Sequence, residues 1–183
     1  LSIERGATFE EGEEAIRRLA SGGIDGIVLP PPLSDSARAL ELLARPDVPT
    51  VSIASIDPLT PSSAVGIDDF KAARAMTDHI IGLGHTRIGF IAGAARQLAS
   101  RQRFAGYKDA LKNAGIAFDE TLIAEGEFTY KSGLGAARKL LSLDPQPTAI
   151  FASNDEMAAA TIAIAHRRNI DVPNDITVCG FDD

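Results

Sequence analysis

Four side chains in the second half of the sequence have the chemistry to recognise a small polar molecule. A carboxylate accepts hydrogen bonds from adjacent hydroxyls, a guanidinium donates through a planar fork, and a carboxamide does both. An aromatic ring can cover an apolar face of the same ligand. The four are Arg103, Phe128, Asn154 and Asp182, which follow the apolar segments 87–92, 122–124, 148–152 and 176–178 in that order.

The spacing of these apolar segments predicts that the four side chains meet. Short apolar segments alternate with helical segments of about 10 to 15 residues, which is typical of parallel strands joined by right-handed crossovers. In an open parallel sheet, ligands bind beyond the carboxyl ends of the strands. We therefore expect the four side chains to lie at one edge of one sheet.

Each of the four residues also has a simpler structural interpretation. Asn154 is suited to cap the helix that follows it, and Arg103 is compatible with a solvated helix position. Phe128 fits a place in the hydrophobic core, and Asp182 fits a turn after a strand. Their shared sheet edge favours the joint ligand site over these separate roles.

The alternation of strands and helices extends over the whole chain and predicts an α/β fold with parallel sheets flanked by helices. A polar stretch with two prolines, 55–63, is the candidate crossing between two lobes. We predict a partial N-terminal lobe over 1–66 and a partial C-terminal lobe over 67–183. Predicted helices cover 10–20, 35–44, 68–83, 101–114, 130–143 and the segment after Asn154, and the remaining predicted strands cover 24–29, 50–54 and 64–67.

Composition excludes several classes of protein. The 183 residues are 45% hydrophobic and 23% charged, a normal balance for a globular domain. A net charge of −7 argues against a nucleic-acid surface on this segment. No apolar run approaches the roughly 18 residues that a membrane span needs. The single cysteine, Cys179, lies in an apolar segment, so we expect a small buried side chain and no disulfide within the chain.

The usual catalytic and cofactor motifs are missing from the sequence. Gly133 and Gly135 open a helix in the manner of a dinucleotide fingerprint, but Arg138 stands where the third small residue belongs. No phosphate-binding loop, nucleophile elbow or metal-ligand spacing is present, and we expect packing or surface roles for the three histidines. We therefore predict no enzymatic activity, no cofactor and no metal.

Four ordered motifs resemble the effector-binding region of the LacI/GalR family of bacterial transcription regulators. They are LGHTRIGFIAG at 83–93, RQRFAGY at 101–107, ASNDEMA at 152–158 and VPNDITVCGFDD at 172–183. The resemblance covers nearly the whole chain. It implies a two-lobed, periplasmic-binding-protein-like fold of type I and a cytoplasmic homodimer. It also implies a small effector, often a sugar, between the lobes, and an upstream helix-turn-helix module that binds operator DNA under allosteric control.

The resemblance also implies roles for individual residues. It places Arg103, Asn154 and Asp182 at polar effector contacts and makes Phe128 the aromatic platform. We add Pro31, Ser55 and Gln97 as further candidate contacts. Pro31 and Ser55 stand where sugar-responsive relatives carry more polar residues, which favours a glycoside or another partly apolar effector.

We expect the chain to be truncated at both ends, because it opens at Leu1 without a methionine and stops at Asp183, at the edge of a strand. The resemblance implies that the DNA-binding module, the first strand of the N-terminal lobe and the final crossovers lie outside it. The alternative function is that of a periplasmic sugar-binding protein of a transport system, which has the same fold.

Overall fold

The structure of this chain is a computed structural model that describes residues 3–4, 9–44, 48–54 and 63–182. Ser55, one of the candidate ligand contacts, lies outside the described residues. The chain divides into two compact units between Asp68 and Asp69. We call residues up to Asp68 the first unit and residues from Asp69 the second unit.

The first unit contains a three-stranded parallel sheet. Its sheet order is β1-β2-β3, and every neighbouring pair is parallel. The buried side chains Ile16, Leu29 and Leu43 pack two helices against one face of this sheet. The elements are α1 (Phe9–Ser21), β1 (Ile27–Leu29), α2 (Ala37–Leu43), β2 (Thr50–Ile53) and β3 (Ser63–Val65), with a short 3₁₀ turn at Leu33–Asp35.

The second unit contains a four-stranded parallel sheet in the order β5-β4-β6-β7. The chain leaves β4 for β5 on one side and then returns to β6 on the other. This reversal creates a topological switch point at the carboxyl end of β4, where such sheets bind ligands. The elements are α3 (Asp69–Gly82), β4 (Ile88–Ala92), α4 (Leu98–Asn113), β5 (Ile123–Glu125), α5 (Tyr130–Leu140), β6 (Ala149–Ala152), α6 (Asp155–Arg167) and β7 (Thr177–Cys179).

Helices cover both faces of the second sheet, as parallel sheets require. Phe90 and Phe151 point to the face covered by α3 and α4, where they pack against Tyr107. Ile91 and Ile150 point to the opposite face, which is covered by α5 and α6. Consecutive residues of β4 and β6 therefore enter different cores, and this explains why the strands are apolar throughout.

The parallel α/β architecture agrees with the prediction, but some predicted positions are wrong. Helix α4 begins at Leu98 instead of Arg101, which moves Arg103 from the first turn into the second. The predicted helix over 68–83 ends one residue early, at Gly82, and Leu83 beyond it is 60% exposed. The buried positions of α3 include Ala73, Thr77 and Ile80. Thr77 is tolerated in this core because its hydroxyl donates to the Ala73 carbonyl at 2.8 Å.

The side chains of His85 and Cys179 take part in hydrogen bonding and packing within the second unit. His85 lies at the amino edge of the second sheet, where its ring nitrogens are 2.9 Å and 3.1 Å from the hydroxyl oxygens of Thr148 and Thr177. Cys179 is half-buried against the α3–α4 side, and burial raises the pKa of its thiol to about 12.

Within the described ranges, no helix is long and apolar enough to cross a membrane, and no group of three or more potential metal-binding His, Cys, Asp or Glu side chains occurs.

Candidate functional site at the carboxyl edge of the second sheet

The structure brings Arg103, Phe128 and Asp182 together beyond the carboxyl ends of the strands in the second unit. Arg103 projects from the second turn of α4, Phe128 precedes α5, and Asp182 follows β7. The Arg103 guanidinium carbon lies 5.7 Å from the centre of the Phe128 ring, and Arg103 Nη1 lies 3.6 Å from Asp182 Oδ1. Residues that follow three different strands, β4, β5 and β7, thus meet around one guanidinium.

Arg103 is the central group of this cluster, and it is only 8% exposed. Its Nε donates to Asp69 Oδ1 at 2.7 Å, and its Nη1 donates to the Ser153 carbonyl oxygen at 2.6 Å. Hydrogen bonds between ionised partners are short and strong in such surroundings. The alternative of a solvated helix residue is therefore wrong for Arg103.

A second aromatic ring joins the cluster. The centre of the Phe181 ring lies 3.6 Å from the Arg103 guanidinium carbon, closer than the Phe128 ring. Aromatic faces attract cations at these distances, more strongly when water is excluded. The guanidinium is held both by carboxylates and by rings.

The backbone of Phe128 adopts an unusual conformation that sets the position of its ring. Its φ is +59°, a left-handed value that is uncommon outside glycine. Asn154 Nδ2 donates to the Phe128 carbonyl oxygen at 3.0 Å. The ring lies over Gly93, so closely that a Cβ atom at that position would overlap it. Strained backbone is common at ligand-binding positions, where the surrounding contacts maintain it.

Asn154 has two structural duties. It is the N-cap of α6, and its Oδ1 accepts from the backbone N–H of Met157 at 3.1 Å. Its amide nitrogen holds the Phe128 carbonyl at the same time. The capping interpretation is thus correct, and the same side chain also positions the aromatic ring.

Asp182 is the most accessible charged group of the cluster. Its side chain is 56% exposed, and its φ of +135° is unusual for a residue with a side chain. Partial burial raises the pKa of its carboxyl, and the negative charges of Asp155 and Asp69 add to this effect. The Arg103 guanidinium acts in the opposite direction and lowers this pKa.

The raised pKa of Asp182 predicts a specific pH dependence. Because the folded state holds this proton more tightly than the unfolded chain, the contribution of Asp182 to stability should fall as pH rises from the ordinary value of 3.8 through the raised pKa. Asp182→Asn removes this pH-dependent contribution to stability. The melting temperature of the variant should therefore rise relative to that of wild type as pH increases. Thermal melts of both proteins between about pH 3 and pH 7 measure it. A difference in melting temperature that stays constant across this range would contradict it.

The remaining predicted contacts are less informative. Gln97 is the N-cap of α4 and lies beyond the end of β4, but its side chain makes no capping hydrogen bond. Pro31 belongs to the first unit, in the turn after β1. Gln97 thus lies at the carboxyl edge of the second sheet, and Pro31 follows β1 in the first sheet.

Sequence reasoning missed Asp69, Phe181 and the Ser153 carbonyl. Asp69 opens α3 and is 34 positions from Arg103, so it reads as an ordinary acidic residue at a helix start. The contact arises because α3 and α4 cross closely at Gly106, where an added Cβ would collide with the Phe70 carbonyl oxygen. The sequence shows two adjacent aspartates, Asp68 and Asp69, but nothing in their spacing indicates that one of them contacts Arg103.

The chain matches the family described as periplasmic binding protein-like domain over residues 77–183. It is 38% identical to the transcriptional regulator DegA of Bacillus subtilis over 161 residues, which cover 87% of this chain and 48% of DegA. It is also similar to the solved complex of the transcriptional regulator CelR with cellobiose, with a TM-score of 0.86 and 35% identity over 97% of this chain and 55% of that chain. A putative LacI transcriptional regulator from Bacillus cereus subsp. cytotoxis gives a TM-score of 0.90 at 30% identity, over 100% of this chain and 65% of the other.

The chain spans about half the length of the curated relatives it matches, 48% for DegA and 43% for the catabolite control protein A of Priestia megaterium. DegA and CelR are both named as transcriptional regulators. The matched residues include β4 and all later elements, and therefore most of the cluster around Arg103. This chain belongs to the periplasmic binding protein-like domain family and corresponds to the effector-binding domain of LacI-family transcriptional regulators.

Proposed function

We propose that this chain is the effector-sensing region of a ligand-responsive transcription regulator and that it binds a sugar or glycoside at the cluster around Arg103. The observation that carries the proposal is the convergence of a guanidinium, two aromatic rings and a carboxylate beyond the strand ends. The similarity to CelR, which was solved with cellobiose, supports the ligand class. The similarity to named regulators disfavours a transport function.

Each group has a distinct part in the proposed site. Asp182 accepts hydrogen bonds from ligand hydroxyls, since its carboxylate is accessible. Arg103 donates through its remaining terminal N–H groups, because Nε–H and one N–H of Nη1 are occupied by protein acceptors. Phe128 and Phe181 cover the apolar face of a sugar ring. Asn154 is assigned a positioning role toward Phe128, with its second amide hydrogen available to the ligand.

Regulation requires that the ligand favour one conformation of the protein over another. Coupling free energies between two sites are typically about 1–3 kcal/mol, which corresponds to roughly 5- to 150-fold in affinity. We propose that the coupled site is operator DNA, bound by a helix-turn-helix module of a cytoplasmic homodimer. Pro31, Ser55 and Gln97 remain candidate contacts to the ligand.

A pair of glycine substitutions tests the proposed site in the full-length protein. Gly93→Ala should push the Phe128 ring aside without touching the ligand, and should weaken cellobiose or glycoside binding by at least about tenfold. Gly135→Ala is the matched control, because a Cβ there meets nothing within 4 Å. Thermal shifts with a panel of sugars and glycosides give the affinities, since ligand at about 100 times Kd adds roughly 2.7 kcal/mol of stability.

The same panel also decides the regulatory half of the proposal. The ligand that stabilises the protein should change its affinity for operator DNA in a gel-shift titration. The proposal fails if no sugar or glycoside raises the melting temperature, or if Gly93→Ala and Gly135→Ala bind the ligand equally well.

A further inference from the structure

The cluster around Arg103 carries more negative than positive charge. Asp69 and Asp182 both face the guanidinium, at 2.7 Å and 3.6 Å between the nearest nitrogen and oxygen atoms. Asp155 adds a third carboxylate, which packs where a Cβ of Gly180 would lie and acts electrostatically on Asp182. Asp69 and Asp182 thus face one guanidinium, and Asp155 adds a third negative charge that acts on Asp182.

The hydrogen bonds of Arg103 also reduce the ways in which it can hold a phosphate. A bidentate contact uses two parallel N–H groups, either from Nε and one terminal nitrogen or from both terminal nitrogens. Nε is committed to Asp69, and Nη1 is committed to the Ser153 carbonyl. The fork that uses Nε is therefore closed to a ligand. Of the five N–H groups, three remain on the terminal nitrogens, and Asp182 Oδ1 lies 3.6 Å from one of these nitrogens, Nη1.

Two other basic side chains near the strand ends, Arg96 and Arg101, contact the loop after β4. Arg96, in the loop after β4, pairs with Glu127 at 3.2 Å. Arg101 donates to the carbonyl oxygens of Ala95 and Arg96 at 3.1 Å and 2.9 Å and so holds the same loop. Arg96 is paired with a carboxylate, whereas Arg101 keeps its charge because its acceptors are neutral carbonyl groups. The charged groups nearest to Arg103 are the carboxylates of Asp69 and Asp182.

We propose that Asp69 is a specificity-determining residue that restricts this site to uncharged, hydroxyl-bearing ligands and excludes phosphorylated sugars and other anions. Asp69 neutralises Arg103 from the buried side, fixes the plane of the guanidinium and occupies its Nε. Asp182 then faces the ligand as an acceptor for hydroxyls and repels anions. This inference rests on the proposed function for the position of the ligand.

The test compares anion binding by wild type, Asp69→Asn and Asp78→Asn in the full-length protein. Asp69→Asn keeps an oxygen acceptor but removes the charge, whereas Asp78 is an exposed acid on the same helix, paired with Arg74 at 3.6 Å. The probes are glucose, glucose 6-phosphate, cellobiose and inorganic phosphate, each at constant ionic strength. Thermal shift and calorimetry report binding, and circular dichroism reports folding.

Wild type and Asp78→Asn should show no stabilisation by inorganic phosphate, and should bind an uncharged sugar at least tenfold more tightly than its phosphate ester. In Asp69→Asn this ratio should fall by at least tenfold, and binding of inorganic phosphate should become measurable. If Asp69→Asn does not fold, Asp182→Asn should show the same change in phosphate binding, because its side chain is exposed and its loss spares the buried pair.

The results separate this inference from the proposed function. Phosphate binding by wild type, or an unchanged anion response in a folded Asp69→Asn, overturns the charge restriction. If no sugar binds but Asp69→Asn gains phosphate binding, the sugar assignment fails while the charge restriction stands.

Discussion

Replacement of Arg103 by alanine is expected to lower the free energy of unfolding by about 3–5 kcal/mol, in addition to removing the ligand response. The substitution leaves the Asp69 carboxylate, with only 9% of its side chain exposed, without its cationic partner. It also removes the hydrogen-bond donor of the Ser153 carbonyl. Denaturant titration of the full-length protein measures the loss.

A double-mutant cycle identifies the cause of this destabilisation. Asp69→Ala combined with Arg103→Ala should cost clearly less than the sum of the two single substitutions, because no buried charge then lacks a partner. Asp182→Ala is the control on the exposed side and should unfold nearly like wild type, since more than half of its side chain is in solvent. Additive single and double effects would show that Arg103 and Asp69 are not energetically coupled.

Replacement of Phe90 by alanine is expected to destabilise the second unit by about 3–5 kcal/mol, as for other buried aromatic residues in well-packed cores. Phe90 is fully buried in the middle of β4. Its ring stacks on Tyr107 with centres 4.8 Å apart and meets Phe151 edge-on at 5.4 Å. The cavity would open directly beneath α4, the helix that carries Arg103. Thermal and denaturant unfolding monitored by circular dichroism give the magnitude.

Phe118 supplies the matched control for this aromatic cluster. Its ring contacts Phe104 at 6.1 Å at the outer end of the same cluster, but it is 43% exposed. Phe118→Ala should therefore cost no more than about 1 kcal/mol, because little apolar area returns to water. Equal losses for Phe90→Ala and Phe118→Ala would mean that burial at β4 does not dominate the stability of this unit.

The fold class was predictable because alternating apolar strands and amphipathic helices leave few arrangements other than a parallel sheet covered on both faces. Element ends were less predictable. The sequence pattern starts α4 at Arg101, whereas the helix begins at Leu98, since the preceding loop has no residue that forbids helical backbone. The exposed position of Leu83 depends on where α3 stops, and helix ends vary by one or two residues even between structures.

The site was predictable only in part, because strand ends are visible in a sequence and contacts between distant helices are not. Arg103, Phe128, Asn154 and Asp182 were identified from the strands that they follow. Asp69 escaped because its distance to Arg103 depends on how closely α3 and α4 cross at Gly106. The left-handed backbone of Phe128 was also hidden, since nothing in its side chain favours a positive φ.

The double duty of Asn154 limits which side chains that position can accept. Aspartate would still cap α6, but it would present a lone pair instead of a donor to the Phe128 carbonyl and so repel it. Serine is too short to span both partners, and glutamine would need a longer path from the same backbone. Of the short capping side chains, asparagine alone both begins the helix and anchors the aromatic ring. Any exchange here would therefore alter the position of the Phe128 ring and the start of α6 together.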